Sequence, residues 1–202
     1  MHVKICGITR LEDALLSIEY GAWAIGFNFY TKSSRYISPY SVLKIIKQLP
    51  KDIVTIGVFV NTPSRVLSEM LDYMQLDFAQ VYTPMRLITH HSLILSLNLN
   101  TLSQLPDKKI LSSYYAILLD APILSNGLLG GTGRLANWAV AKKLAKKYKL
   151  ILAGGLTPLN LKQAITQVQP FAVDVASGIE DYPGIKNPSM LKKFLLGAKH
   201  GK

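Results

Sequence analysis

A chain of 202 residues, 49% hydrophobic and 17% charged, has the length of one domain and enough apolar surface for a core, which excludes intrinsic disorder. No apolar run approaches the roughly 20 residues a bilayer-spanning helix needs, and no signal-peptide stretch follows Met1-His2-Val3-Lys4, so no membrane partner and a cytoplasmic location are expected. A net charge of +11, from 23 Lys and Arg against 12 Asp and Glu, favours anionic partners without saying which.

In chain order, short β-branched apolar runs predict strands at Val3–Cys6, Ala24–Phe29, Val54–Val60, Phe78–Val81, Leu93–Leu97, Ala116–Asp120, Leu150–Ala153 and Ala172–Ala176. Between them, apolar residues recur at helical spacing: Leu11, Ala14, Leu15 and Ile18; Val42, Ile45, Ile46 and Leu49; Leu161, Ala164, Ile165 and Val168; Leu191, Phe194, Leu195 and Ala198. A polar cap followed by proline predicts helix starts at Ser38-Pro39, Thr62-Pro63, Thr157-Pro158 and Asn187-Pro188. Thr9 with Glu12 reads as a capping box for the first helix. The segment from Pro84 to Ser92 is weakly periodic, so a shortened fourth helix is expected there.

Strands buried on both faces and alternating with helices make parallel βα units. Eight of them, at about 25 residues each, suit a compact (β/α)8 TIM barrel spanning residues 1–202 as a single domain. An open doubly wound sheet is the runner-up, but Cys6-Gly7-Ile8-Thr9 is not the glycine fingerprint its nucleotide-binding form requires. The lysine pairs at 108–109, 142–143, 146–147 and 192–193 fall on polar helix faces with no interleaved aromatic pattern, so nucleic acid is not expected as a partner.

A barrel carries its active site where the strands end. The first strand ends at Cys6, the only cysteine, which excludes an internal disulfide. Phosphate-binding amides and basic groups around it can lower a thiol pKa from about 8.5 and supply a thiolate base. The sixth strand ends at Asp120 after four apolar residues, a setting that raises a carboxyl pKa and makes a general acid. Such a pair suits proton transfer at a carbon beside a carbonyl or imine. Glycine loops after strands seven and eight, with Gly154, Gly155, Ser177 and Gly178, mark the usual phosphate site of barrels, so a phosphorylated small molecule is expected. The glycine-rich loop from Gly127 to Gly133 reads as a connector or a lid. Arg35 can pair with a carboxylate. The histidines lack metal-ligand spacing, so no metal is expected.

These segments together resemble the phosphoribosylanthranilate isomerase family. The matching stretches are Val3-Lys-Ile-Cys6-Gly-Ile-Thr9, Ala24-Ile-Gly-Phe-Asn-Phe-Tyr30 with Lys32-Ser-Ser-Arg-Tyr36 and Ser38-Pro39, Gly57-Val-Phe-Val-Asn61, Leu118-Leu-Asp-Ala121, Gly130-Gly-Thr-Gly133, Leu152-Ala-Gly-Gly-Leu156, and Val173-Asp-Val-Ala-Ser-Gly-Ile-Glu180 followed by Pro183-Gly184. The resemblance implies an Amadori rearrangement of N-(5-phosphoribosyl)anthranilate in tryptophan biosynthesis, without cofactor. It further implies Asp120 as acid, Cys6 as base, Arg35 on the anthranilate carboxylate, Gly154, Gly155, Ser177 and Gly178 around the phosphate, and Asp174 as a polar wall.

Departures accompany the match. Gln80-Val81-Tyr82-Thr83 places Tyr82 where the family pattern carries a substrate-contacting histidine, and Ser96 stands near a usual lysine. Asn137 replaces an aspartate and Ala176 a serine. Two alternatives follow: a barrel weakened in catalysis, with a changed aromatic preference, and the histidine-pathway isomerase, whose two aspartates and half-chain repeat are not matched here. Monomer and homodimer are both open.

Overall fold

The computed structural model describes residues 1–85, 92–99, 101–122 and 135–199. Eight parallel strands close into a barrel in chain order: β1 (His2–Ile5), β2 (Ala24–Asn28), β3 (Val54–Phe59), β4 (Phe78–Val81), β5 (Ser92–Asn98), β6 (Ala116–Asp120), β7 (Leu150–Leu152) and β8 (Ala172–Val175), with β8 pairing back onto β1. Because successive strand residues face opposite ways, one set fills the interior and the other meets the helices. Ala24, Ile56, Ile94, Ala116, Leu118, Ile151 and Ala172 form the interior cluster. At the base, His2, Trp23 and Phe171 pack as a tilted aromatic group, and Lys149 sits over the Tyr115 ring.

The outer set of strand residues packs against α1 (Leu11–Glu19), α2 (Pro39–Ile46), α3 (Ser64–Met74), α4 (Lys108–Leu111), α5 (Trp138–Ala145), α6 (Leu161–Val168) and α7 (Pro188–Lys199). The expected stripes of α6 and α7 are buried at every position. The paired lysines lie exposed on the outer faces of α4, α5 and α7 and beside them, as expected of solvated charge. Among the described residues no helix is long and apolar enough to cross a membrane.

Several expected helix ends are corrected. The Thr9–Glu12 capping box does not form: Arg10 is the N-cap, and the Thr9 hydroxyl donates to the Gly184 carbonyl at 2.5 Å instead. A tertiary acceptor outcompetes the local amide there. The inward face of α1 is Asp13, Ala14 and Ser17, with Leu15 exposed, because Asp13 is drawn in by Arg10 and by the Lys186 amide. Pro63 is the N-cap of α3 rather than its first residue. α6 begins after Asn160, since residues 158–160 form a turn on which the Thr157 amide donates to the Asn160 side chain. Ser38 and Asn187 cap as expected. The expected fourth-helix segment and the Gly127–Gly133 loop fall largely or wholly outside the described residues.

Candidate active site

Cys6 follows directly on β1. Its amide donates to the Val175 carbonyl of β8 at 2.9 Å, and its own carbonyl accepts from Lys186 Nζ at 2.6 Å. The Cys6 backbone is therefore held from two sides, and the residue is half-buried. Asp120 ends β6 and is 9% exposed, with Oδ1 accepting from the Ala121 amide at 2.7 Å. Burial raises its pKa to about 6, with the Asp174 charge adding to the effect against the Ala121 amide and Lys4. A carboxyl group that ionises close to neutrality is suited to give up a proton.

Between these two lies a charged layer. Lys4 points into the barrel, fully buried, and its ammonium donates to Asp174 Oδ1 at 2.8 Å and to Gln80 Oε1 at 3.1 Å. Burial works against the ammonium, but Asp174 and the Cys6 thiol outweigh it and hold Lys4 firmly protonated. Tyr82 stands next to both candidate groups: burial, then the Asp120 charge, then Cys6, push its phenol well above the usual range. Tyr82 is therefore a neutral hydroxyl at the mouth.

Asp120 and Asp174 also line a recess floored by Gly154, Gly155, Ser177 and Gly178. Gly154 and Gly155 have φ of +80° and +60°, so their backbone turns in a way that side chains disfavour. Asn160 braces this turn, accepting from the Thr157 amide and donating to the Gly155 carbonyl at 2.9 Å. A Cβ at Gly178 would overlap the Leu156 carbonyl oxygen, so only glycine lets the loops after β7 and β8 close together.

A second charged group borders Cys6. After β8, a short hairpin of β9 (Glu180–Tyr182) and β10 (Ile185–Lys186) packs on the turn between β1 and α1, reaching Cys6, Thr9 and Asp13. Glu180 accepts from Arg35 Nε and Nη2 and from Lys186 Nζ at 2.8 Å. Arg35 and Lys186 together hold the Glu180 carboxyl below its usual range despite burial.

The family model for N-(5'-phosphoribosyl)anthranilate isomerase matches residues 3–196. The chain is 40% identical to the N-(5'-phosphoribosyl)anthranilate isomerase of Thermotoga maritima over 98% of both chains, and 42% identical to that of Pelobacter propionicus over 98% of this chain and 96% of the relative. The fold agrees with the crystal structure of the Thermus thermophilus isomerase, with a TM-score of 0.86 at 32% identity over the whole of both chains. It also agrees with an isomerase crystallised with reduced 1-(o-carboxyphenylamino)-1-deoxyribulose 5-phosphate, at a TM-score of 0.81, 34% identity and 98% of each chain.

The chain belongs to the phosphoribosylanthranilate isomerase family. It is an isomerase of tryptophan biosynthesis.

For a member of this family, one sequence expectation about the thiol needs correction. Basic neighbours do not lower the Cys6 pKa overall: burial raises it, with Asp174 adding to the rise against Lys4 and Lys186. Arg35, expected to face a carboxylate, already engages Glu180 through Nε and Nη2, and among the described residues no hydrogen bond from its Nη1 is found. Asn137 caps α5 by accepting from the Ala139 and Val140 amides, so asparagine satisfies the same cap as aspartate. Sequence reasoning missed Lys4, Gln80, Glu180 and Lys186. The alternation of β1 places Lys4 on the same face as Cys6, and that signal alone could have found it.

A larger recess lies beside α4 and the start of β6, lined by Lys108, Tyr114, Tyr115 and Lys149. It holds no carboxyl or thiol. The acid and the thiol are at the other end of the barrel.

Proposed function

We propose that this chain isomerises N-(5'-phosphoribosyl)anthranilate with Asp120 as general acid and Cys6 as general base. Asp120 gives its proton to the furanose ring oxygen. The C1'–O bond breaks toward that oxygen while the amine lone pair forms an iminium. The Cys6 thiolate then removes the C2' proton. The C–H electron pair becomes the C1'=C2' double bond, and the iminium pair returns to nitrogen. The enolamine loses its hydroxyl proton and gains one at C1', giving 1-(2-carboxyphenylamino)-1-deoxyribulose 5-phosphate. Every step is a proton transfer or a bond shift, so this reading requires no cofactor.

The backbone around Gly154, Gly155, Ser177 and Gly178 takes the phosphate. Arg35 offers Nη1 to the anthranilate carboxylate, Tyr82 borders the aromatic ring, and Asp174 forms the polar wall beside Asp120. The observation that carries this reading is Asp120: a carboxyl group of raised pKa in the same recess as the glycine floor.

The test is turnover by purified protein, followed as the loss of anthranilate fluorescence. Turnover that falls sharply in Cys6→Ser and in Asp120→Asn is expected. Full rate retained in both variants, or none in the unaltered protein, overturns the assignment. Tight binding of a phosphorylated analogue without turnover points instead to a barrel weakened in catalysis.

A further inference from the structure

Lys4 is 0% exposed inside the barrel, although the interior positions below it are apolar. An apolar side chain packs such a layer at lower cost than an ion pair. The ammonium has three N–H donors. Asp174 and Gln80 accept two, and Cys6 is the remaining side chain that bears on the ammonium as a hydrogen-bond partner. The place left to the third N–H is beside the thiol. A Cβ built on Gly26 would lie 3.0 Å from Cys6 Sγ and 3.2 Å from Lys4 Nζ, so the two atoms flank one small space that glycine leaves open. Lys4 is two residues before Cys6 on β1, and strand alternation puts both on the inner face.

We propose that Lys4 is a positioning residue for Cys6: anchored by Asp174 and Gln80, its ammonium presents its third N–H to the sulfur and stabilises the negative charge that forms there. This rests on the reading of Cys6 as the base. The groups facing Cys6 come from several elements. Lys4 from β1 and Lys186 from β10 favour the thiolate, and Asp174 from β8 opposes it. Tyr82, beyond β4, also interacts with Cys6 and stands between it and Asp120 at the end of β6, which acts on Tyr82 in turn. Asp174 thus has two opposed effects. It fixes the ammonium in place, and it competes with the sulfur for the ammonium's charge.

Opposite signs follow for the two partners. Lys4→Met removes the cation and leaves the Asp174 carboxylate, so the thiol holds its proton to higher pH. Asp174→Asn removes the competing carboxylate and leaves the cation shared only with the neutral Gln80, so the thiolate forms at lower pH. A pair that does not act on the sulfur would leave the thiol midpoint unmoved in both variants.

Cys6 is the only cysteine, so the pH dependence of alkylation by iodoacetamide and of ultraviolet thiolate absorbance reads this one group, without substrate. The expected result is a midpoint raised by about one pH unit in Lys4→Met, slowing alkylation about ten-fold at a fixed pH below it, and a midpoint lowered in Asp174→Asn. Lys4→Arg keeps the charge and is expected to stay near the unaltered midpoint. An unmoved midpoint in Lys4→Met, or shifts of the same sign in Lys4→Met and Asp174→Asn, overturns the proposal. If Lys4→Met does not fold by circular dichroism, Asp174→Asn decides: a downward shift supports the proposal, and no shift or an upward one overturns it. Full turnover in Cys6→Ser overturns the base assignment separately, because the thiol titration is measured without turnover.

Discussion

The Arg35 guanidinium and the Glu180 carboxylate meet at 2.7 Å between Nη2 and Oε2, with only 14% and 4% of their side chains exposed. They are 145 residues apart in the chain. The aliphatic part of Arg35 lies across Gly7, where a Cβ would come within 2.5 Å of Arg35 Cδ. The proposed carboxylate-binding arginine is thus held by the hairpin after β8 and by the turn after β1.

Glu180→Gln removes the charge that orients Arg35 and leaves Arg35 and Lys186 facing a neutral amide. The expected outcome is a KM raised on the order of ten-fold with a smaller change in kcat, and a stability loss of about 3 kcal/mol near pH 7 by urea denaturation. Glu180 has a folded-state pKa below its unfolded one. Its stabilisation is therefore full above the ordinary glutamate range and disappears as the pH falls through the folded value. The gap between the variant and the unaltered protein should close in acid. A gap that persists in acid contradicts this account.

Asp120→Asn keeps an oxygen to accept from Ala121 but has no proton to give. A fall in kcat of about 10²- to 10⁴-fold is expected, with little change in KM. The shape of the pH profile is also informative. With an acid near 6 and a thiol above its ordinary value, the productive form, carboxylic acid with thiolate, is a small fraction. That fraction is constant between the two pKa values and falls on either side. The kcat/KM profile should therefore rise up to about pH 6, stay level, and drop only beyond the thiol pKa. In Asp120→Asn the break near 6 should vanish, and the residual rate should keep climbing toward the thiol pKa.

The same residue has a stability effect of opposite sign. Asp120 has a folded-state pKa raised from 3.8 to about 6, so ionising it opposes folding. The destabilisation is absent below the unfolded value, grows between the two, and is complete above about pH 6. Asp120→Asn should be more stable than the unaltered protein by about 2 to 3 kcal/mol at pH 7, and no more stable at a pH below 3.8. Urea midpoints at the two pH values test this.

Gly178→Ala places a methyl group on the Leu156 carbonyl oxygen and forces the loops after β7 and β8 apart. A stability loss of at least about 2 kcal/mol is expected, together with weaker binding of inorganic phosphate by calorimetry. An alanine variant with unchanged phosphate affinity removes Gly178 from the proposed phosphate floor.

Much of the barrel was legible in the chain. β4 and β6 coincide with their predicted bounds, and the others differ at their ends by a residue or two. The reason is local: a strand buried on both faces announces itself as an apolar run, and Ser38-Pro39 carries its own cap. The helix starts expected at Thr9 and Thr157 differ because the deciding partner is distant or lies in a turn. The Thr9 hydroxyl finds Gly184, which is 175 residues away.

The same division runs through the site. Sequence alone determined the order of the strands, the residues at their ends and the family, because these depend on short-range pattern and on the identity of quoted stretches. Only the closed barrel decided how those residues are charged. It buried Lys4 against Asp174, tied Arg35 to Glu180 and Lys186, and pushed the Cys6 thiol up rather than down. Protonation depends on burial and on charges brought together across the barrel, and neither is written in the spacing of residues along the chain.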